Sequence, residues 1–276
     1  MTQAYRTLRL APSDKGVLGV VIDVPPMDLI GPELVRDVVS LLGELESDQE
    51  TRVVRLESAD PDYFVPHVDL TKVAEYTAEA AKAGGPGDAS LGMLWHKLSE
   101  LPVVTIAKIR GRARGAGSEL ALACDMRFAA RENAILGQIE VGAGTLPGAG
   151  GVQHLARLLG QGRAIEAILG ADDFDAEVAE RYGWINRALP DADLDAFVAR
   201  LARRIASFPA GAVRTAKRVL NELTLPGADA IRADARRFRQ LVVSDAAQAR
   251  TATLFAQGLQ TRGPLELDLG DRLGAL

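Results

Sequence analysis

Apolar residues in this chain fall into short β-branched runs separated by stretches at helical spacing. Val17-Leu-Gly-Val-Val-Ile-Asp23 predicts a strand that Pro25-Pro26 ends. Gly31-Pro32-Glu33 then opens a helix, with proline at its first position and an acid in its first turn. Leu34, Val35, Val38, Leu41, Leu42 and Leu45 give that helix one apolar face. Thr51-Arg-Val-Val-Arg-Leu-Glu57 is the next strand. Strand, helix and strand in this order suggest a parallel crossover unit. Ser58 to His67 reads as loop, and Val68-Asp-Leu-Thr-Lys72 starts another helical stretch. Gly84-Gly-Pro-Gly87 breaks it and is the expected mobile loop tip of the N-terminal half. Leu91 to Leu98 is helical and leads into a strand at 102–107.

Further on, Arg127-Phe-Ala-Ala and Ala134-Ile-Leu-Gly137 read as short strands. Helices are predicted from Val152 to Leu159, Arg163 to Leu169 and Asp175 to Tyr182, with Asp175 as N-cap. Gly183 to Leu189 is extended, and Pro190-Asp191 turns the chain. Beyond it, Asp193 to Ser207, Ala210 to Leu223 and Ala228 to Ala256 are helix-length segments with no strand between them. The tail after Gly258 has no clear periodicity. The expected fold class is α/β, with a core over residues 1–190 and a helical region over 191–276.

Composition narrows the function classes. With 276 residues, 47% hydrophobic and 25% charged, the chain is globular and long enough for a large core. A net charge of -5 argues against nucleic acid as the main partner. The single cysteine, Cys124, excludes an internal disulfide framework and a multi-cysteine metal site. It lies in an apolar run and reads as a buried, inert thiol. The N-terminus carries no basic-then-apolar leader pattern, and no apolar run approaches the ~20 residues that span a bilayer. The expectation is a cytoplasmic protein without a membrane partner.

One stretch concentrates the chemistry: Leu101 to Gly111, Arg-Ala-Arg-Gly-Ala-Gly-Ser-Glu119 and Leu-Ala-Leu-Ala-Cys-Asp125. It reads as buried strand, glycine-rich turn and buried helix. The first N–H groups of such a helix lack intrahelical partners and sit at its positive end, which makes an oxyanion site. Tight packing alone would also explain the glycines. Glu119 precedes residues that look buried on most faces. A buried carboxylate is costly unless paired or functional, and burial raises its pKa toward a range suited to acid–base work. A structural ion pair is the alternative. Glu140, in Gly137-Gln-Ile-Glu-Val, leads into the loop Gly142 to Gly151 and reads either as a second catalytic acid or as an exposed loop residue.

Together these segments resemble the crotonase (enoyl-CoA hydratase/isomerase) superfamily. Gly111-Arg-Ala-Arg-Gly-Ala-Gly-Ser-Glu-Leu-Ala looks like the family's Gly-x-x-x-Gly-Gly-Gly-x-Glu-Leu-Ala. Gly137-Gln-Ile-Glu-Val-Gly resembles Gly-Gln-Pro-Glu-Val-Gly, and Leu146-Pro-Gly-Ala-Gly-Gly151 resembles the loop that follows it. The resemblance implies a spiral core of repeated β-β-α units, a C-terminal helical trimerisation region, and a homotrimer or hexamer. It implies an acyl-coenzyme A thioester as substrate, with no other cofactor and no metal. Glu119 and Glu140 stand at both positions of the hydratases' water-sharing pair. Backbone N–H groups of Ala116 and Val68 stand at the two oxyanion positions. His67, Asp69, Lys72, Gly115 and Gly117 are candidate substrate contacts.

Departures from the pattern are concentrated in Phe64-Val-Pro-His-Val-Asp69, where the family reads Phe-x-Ala-Gly-Ala-Asp. His67 replaces a glycine, and is open to two readings: contact with the thioester, pantetheine or a polar acyl group, or an idle loop histidine. Lys108, Arg110, Arg112 and Arg114 read either as a solvated edge or as coenzyme A phosphate contacts. Met27 and Trp95 read as core. Hydration of a 2-enoyl-CoA is the expected reaction. The rivals are another crotonase reaction, such as isomerisation or C–C cleavage, and an acyl-CoA binder without turnover.

Overall fold

The computed structural model describes residues 5–13, 16–84 and 88–276. Two sheets organise it. Strands β1 (Leu8–Ser13), β2 (Val17–Ile22), β3 (Val53–Ser58), β5 (Val104–Ile109), β7 (Met126–Ala130) and β10 (Arg187–Leu189) form one sheet in that order. Its pairings are parallel except for β1 with β2. Strands β4 (Tyr63–Val65), β6 (Arg112–Arg114), β8 (Ile135–Gly137) and β9 (Asp173–Asp175) form the second. Three times the chain lays one strand in the large sheet and the next in the small one. Each pair is then followed by helix: β3-β4 by α2 (Val73–Gly84), β5-β6 by α4 (Ala116–Ala123), and β7-β8 by α5 (Gly151–Leu159). This is the β-β-α repeat that the resemblance implies.

Local sequence explains the elements. Helix α1 (Pro32–Ser47) starts at its proline, and its predicted apolar face is buried throughout. All six residues of β5 are buried, as a continuous apolar run in a parallel sheet should be. Helix α4 is buried on every side. Its small residues permit that, and one of them is obligatory. A Cβ on Gly117 would lie 1.9 Å from the Val65 carbonyl oxygen, so the start of α4 is pressed against β4.

Helix α8 (Asp191–Ala206) lies across the large sheet. Leu194, Val198 and Ala202 pack on a floor that includes Val53, Ile106 and Phe128. Ion pairs of Lys108 and Arg110 with Asp195, and of Arg110 with Asp191, fix its position. Helix α9 (Ala210–Thr224) is tied down by buried Lys217, which donates to the Val103 carbonyl and to Asp125, both at 2.8 Å.

Strands β1 and β9 were not expected, and the fold differs from expectation in four further places. The segment Ser58 to His67 is not all loop, because β4 lies within it. Asp60-Pro61-Asp62 and Pro66 enclose its three residues. Likewise β6 is hidden inside the glycine-rich stretch. The segment Ala228 to Ala256 is two helices, α10 (Ala228–Val242) and α11 (Asp245–Ala256), divided where the Ser244 side chain accepts from Ala247 N and caps the second. The tail is also ordered: α12 (Pro264–Leu267) and α13 (Leu269–Gly274) bury Leu265, Leu269 and Leu273 with Leu254 and Leu259. Of the expected loop tip, Gly84 ends α2, and 85–87 lie outside the described residues. Met27 and Trp95 are core, at 0% and 1% exposure. Among the described residues no helix is long and apolar enough to cross a membrane.

Two glycine substitutions should move stability in opposite directions. Gly117→Ala forces an overlap with backbone and should cost about 1–3 kcal/mol or more. Gly43→Ala, in an exposed stretch of α1 with open space around the added methyl, should gain about 0.4–1 kcal/mol. Thermal unfolding of the two variants checks both signs.

Candidate active site

The site starts at the bend between β6 and α4. Gly115 has φ +50 and ψ −128, and its N–H donates to the Gly137 carbonyl at 3.0 Å. That backbone conformation suits glycine. It makes Ala116 the first helical residue, whose N–H has no intrahelical acceptor. Ala116 itself keeps a negative φ. Opposite it, the residues after β4 run beside Ile30. Ile30 N donates to the His67 carbonyl at 3.1 Å, and Asp69 N donates to the Ile30 carbonyl at 3.0 Å. In a trans peptide N–H and C=O point opposite ways, so the Val68 N–H faces away from Ile30. Among the described residues neither the Ala116 nor the Val68 N–H has a protein acceptor. Both residues line one cavity, and with it they share Glu119 and Glu140.

The two carboxyl groups differ in their surroundings. Glu119 is 2% exposed and accepts from Ala149 N at 2.7 Å and Gly151 N at 2.8 Å. Those donors come from the loop after Pro147, where Gly150 takes a left-handed φ of +112. A Cβ on Gly151 would lie 2.5 Å from the Gln138 amide and 2.9 Å from the Pro147 Cβ, so a larger residue there would have to push both aside. Glu140 has one weak donor, Gln138 Nε2 at 3.4 Å. Its backbone carbonyl accepts from Ala143 N and Thr145 N, which fixes the turn that carries it. Burial pushes both carboxyls above the usual range. For Glu140 the Glu119 charge adds to the rise. For Glu119 two backbone N–H groups oppose it. Two nearby carboxyls in a dry site cannot both ionise cheaply, and the hydrogen-bond pattern makes Glu119 the anion and Glu140 the acid.

The cavity holds about 180 Å³. Beyond the glutamates and the two free N–H groups its walls are mainly apolar. Ile139 and Ala143 follow β8, and Leu254, Leu259, Leu269 and Leu273 come from α11 and the tail. Among the described residues no group of three or more His, Cys, Asp or Glu could hold a metal ion.

The family model for enoyl-CoA hydratase/isomerase matches residues 13–261. The chain belongs to this family. A short-chain-enoyl-CoA hydratase of Clostridium acetobutylicum is 35% identical over 196 residues, 71% of this chain and 73% of that protein. A crotonyl-CoA hydratase of Syntrophomonas wolfei is 31% identical over 220 residues, covering 79% and 83%. A crystal structure from Streptomyces avermitilis, described provisionally as an enoyl-CoA hydratase, superposes with TM-score 0.98 at 63% identity, over 100% of this chain and 99% of that one. As an enzyme of the enoyl-CoA hydratase/isomerase type, this chain has the crotonase fold.

Not every candidate residue of this crotonase lies at the cavity. His67, Val68, Gly115, Ala116, Glu119 and Glu140 do. Gly117 instead faces Val65, and it is needed for packing. Asp69 is occupied in capping the turn at Leu70–Lys72, accepting from Thr71 and from Gln260 Nε2. Lys72 lies outside the cavity lining, 3.8 Å from Asp69. The four basic residues read as either a solvated edge or phosphate contacts have protein partners instead. Lys108 and Arg110 pair with Asp195 and Asp191 of α8, Lys108 also with Glu57 of β3, and Arg112 donates to the Leu267 carbonyl. Arg114 is wholly buried, bidentate to Asp173 at 2.6 Å and also donating to the Glu266 carbonyl. His67 is 5% exposed and pairs with Glu266 at 2.9 Å. Glu266 went unseen in the sequence. Gly263-Pro264 is the same helix-start signal as Gly31-Pro32, and the acid lies between Leu265 and Leu267.

The raised carboxyl of Glu140 has a stability consequence. The folded state holds a proton that the unfolded chain releases near pH 4.5, so stability falls as pH rises from there through the raised value. Glu140→Gln, neutral at every pH, should therefore melt higher than wild type at pH 8 and equally at pH 4. Calorimetry at the two pH values checks it.

Proposed function

We propose that this enzyme hydrates a 2-enoyl-CoA with an aliphatic acyl group, using Glu119 and Glu140 on one water. The observation that supports it best is the asymmetry of the two carboxyls in one cavity beside two unpartnered N–H groups. The relatives named as enoyl-CoA hydratases agree with the reaction.

In this reading the thioester oxygen accepts from Val68 N and Ala116 N. Glu119, anionic, takes a proton from water as its oxygen bonds to Cβ. The electron pair of the double bond moves to the thioester, and the negative charge gathers on the oxygen held by the two N–H groups. Glu140 then gives its proton to Cα. The product is a 3-hydroxyacyl-CoA, Glu119 is left protonated and Glu140 ionised, and one proton transfer between them restores the start. Charge develops where donors already point, so those donors stabilise the transition state more than the substrate. The leucine-lined walls suit an alkyl chain and offer a polar acyl group few partners. The reading takes coenzyme A as part of the substrate, needs no other cofactor, and leaves the C-terminal helices to assemble a trimer or hexamer.

Glu140→Gln should lower turnover of a short 2-enoyl-CoA by at least ~10²-fold, with a smaller change in KM. Steady-state kinetics with full activity retained would remove Glu140 from the mechanism.

A further inference from the structure

His67 stands next to the Val68 donor, and both its ring nitrogens face acceptors. Nδ1 lies 2.9 Å from the Val68 carbonyl oxygen, and Nε2 lies 2.9 Å from Glu266 Oε1. A backbone carbonyl can only accept, so Nδ1 carries a proton. An ionised Glu266 can also only accept, which puts a proton on Nε2 and makes the ring an imidazolium. Both partners are buried, at 5% and 0% exposure, and His67 borders the reaction cavity.

The Val68 carbonyl that His67 binds belongs to the peptide following the oxyanion donor. Its other end, Asp69 N, is held by the Ile30 carbonyl. The preceding peptide is held through the His67 carbonyl by Ile30 N. His67 thus supplies the remaining restraint on the backbone around Val68. Glu266 in turn belongs to the tail that walls the cavity. Its Oε1 also accepts from Gln260 N at 2.7 Å, and the Gln260 side chain bridges back to Leu70 N and Asp69, each at 2.9 Å. Gln260 holds a left-handed φ of +64, uncommon outside glycine, and its two-way hydrogen bonding offsets that cost.

We propose that the His67–Glu266 ion pair is a positioning device for the oxyanion hole, coupling the orientation of the Val68 N–H to docking of the C-terminal tail. It rests on the oxyanion role given to Val68 above. Neutral imidazole carries one N–H, so loss of a proton removes the ring's hydrogen bond either to the Val68 carbonyl or to the Glu266 carboxylate, which then keeps only Gln260 N among the described residues. The groups facing the ring are Glu266 from α12 and Arg114 from β6. Arg114 is paired with Asp173, and Tyr63 from β4 feels the Glu266 charge. Burial lowers the His67 pKa, but the Glu266 charge and hydrogen bond outweigh it and hold it above 6.5. The stabilisation is complete below the unfolded value and is lost as pH rises through the raised folded one.

The test has two arms. Imidazole nitrogen NMR on the wild-type protein, which has three histidines, should show one ring with both nitrogens protonated at neutral pH and losing a proton only above pH 6.5. His67→Gln identifies that signal. In the second arm, acetoacetyl-CoA is bound to wild type and to Glu266→Gln, and its enolate is followed by near-ultraviolet absorbance across pH. The enolate fraction should be about tenfold lower in the variant at equal occupancy, part of the ~10²–10³ that a lost oxyanion donor costs. Wild type should approach the variant at alkaline pH. A His67 ring that is neutral at pH 7 overturns the proposal, as does an enolate fraction unaffected by Glu266→Gln. Neither arm needs turnover, so failure of the hydration assay is read separately.

Discussion

The closeness of the α4 N-terminus to β4 is the constraint on which the site depends. No side chain fits between Gly117 and the Val65 carbonyl, so the two backbones meet directly. That contact brings the first free N–H of a buried helix to the same cavity as Val68, three residues beyond β4. Both N–H groups are fixed by the fold before any ligand arrives, Ala116 by the Gly115 bend and Val68 by Ile30 on either side. Donors held this way need little reorganisation when charge appears.

The same burial shapes the two carboxyls proposed as the acid–base pair. Dry surroundings raise both carboxyls, and their donors tell them apart: two backbone N–H groups for Glu119, one long contact from the Gln138 side chain for Glu140. The arrangement costs stability at neutral pH, as sites tuned for proton transfer often do. The surrounding ion pairs act on placement. Lys108 and Arg110 hold α8 on the sheet, Arg114 joins β6 to β9 and the tail, and His67 with Glu266 joins the tail to the segment that carries Val68.

Much of this was legible in the sequence for physical reasons. A fully buried strand such as β5 must be a continuous apolar run, and an amphipathic helix such as α1 must show its face. Glu119 stood out because a carboxylate among small apolar residues needs a reason to be there. The three-residue strands β4 and β6 were not legible because turn residues enclose them, Asp60-Pro61-Asp62 and Pro66 around the first and Gly111 and Gly115 around the second. The partners of Arg114 and Asp69 were not legible because they lie 59 and 191 residues away. The tail was missed because its helices are short. Its leucines make sense only against Leu70, Ile139 and Ala143, which belong to other parts of the chain.

The central claim is that two glutamates add one water across a conjugated double bond while the backbone holds an enolate. Turnover of crotonyl-CoA in heavy water, followed by mass spectrometry and NMR of the product, tests it most directly. The expected product is 3-hydroxybutyryl-CoA with a single deuterium at Cα and a hydroxyl at Cβ. A product with the double bond moved and no oxygen added would contradict it, as would a cleaved acyl chain or unchanged substrate.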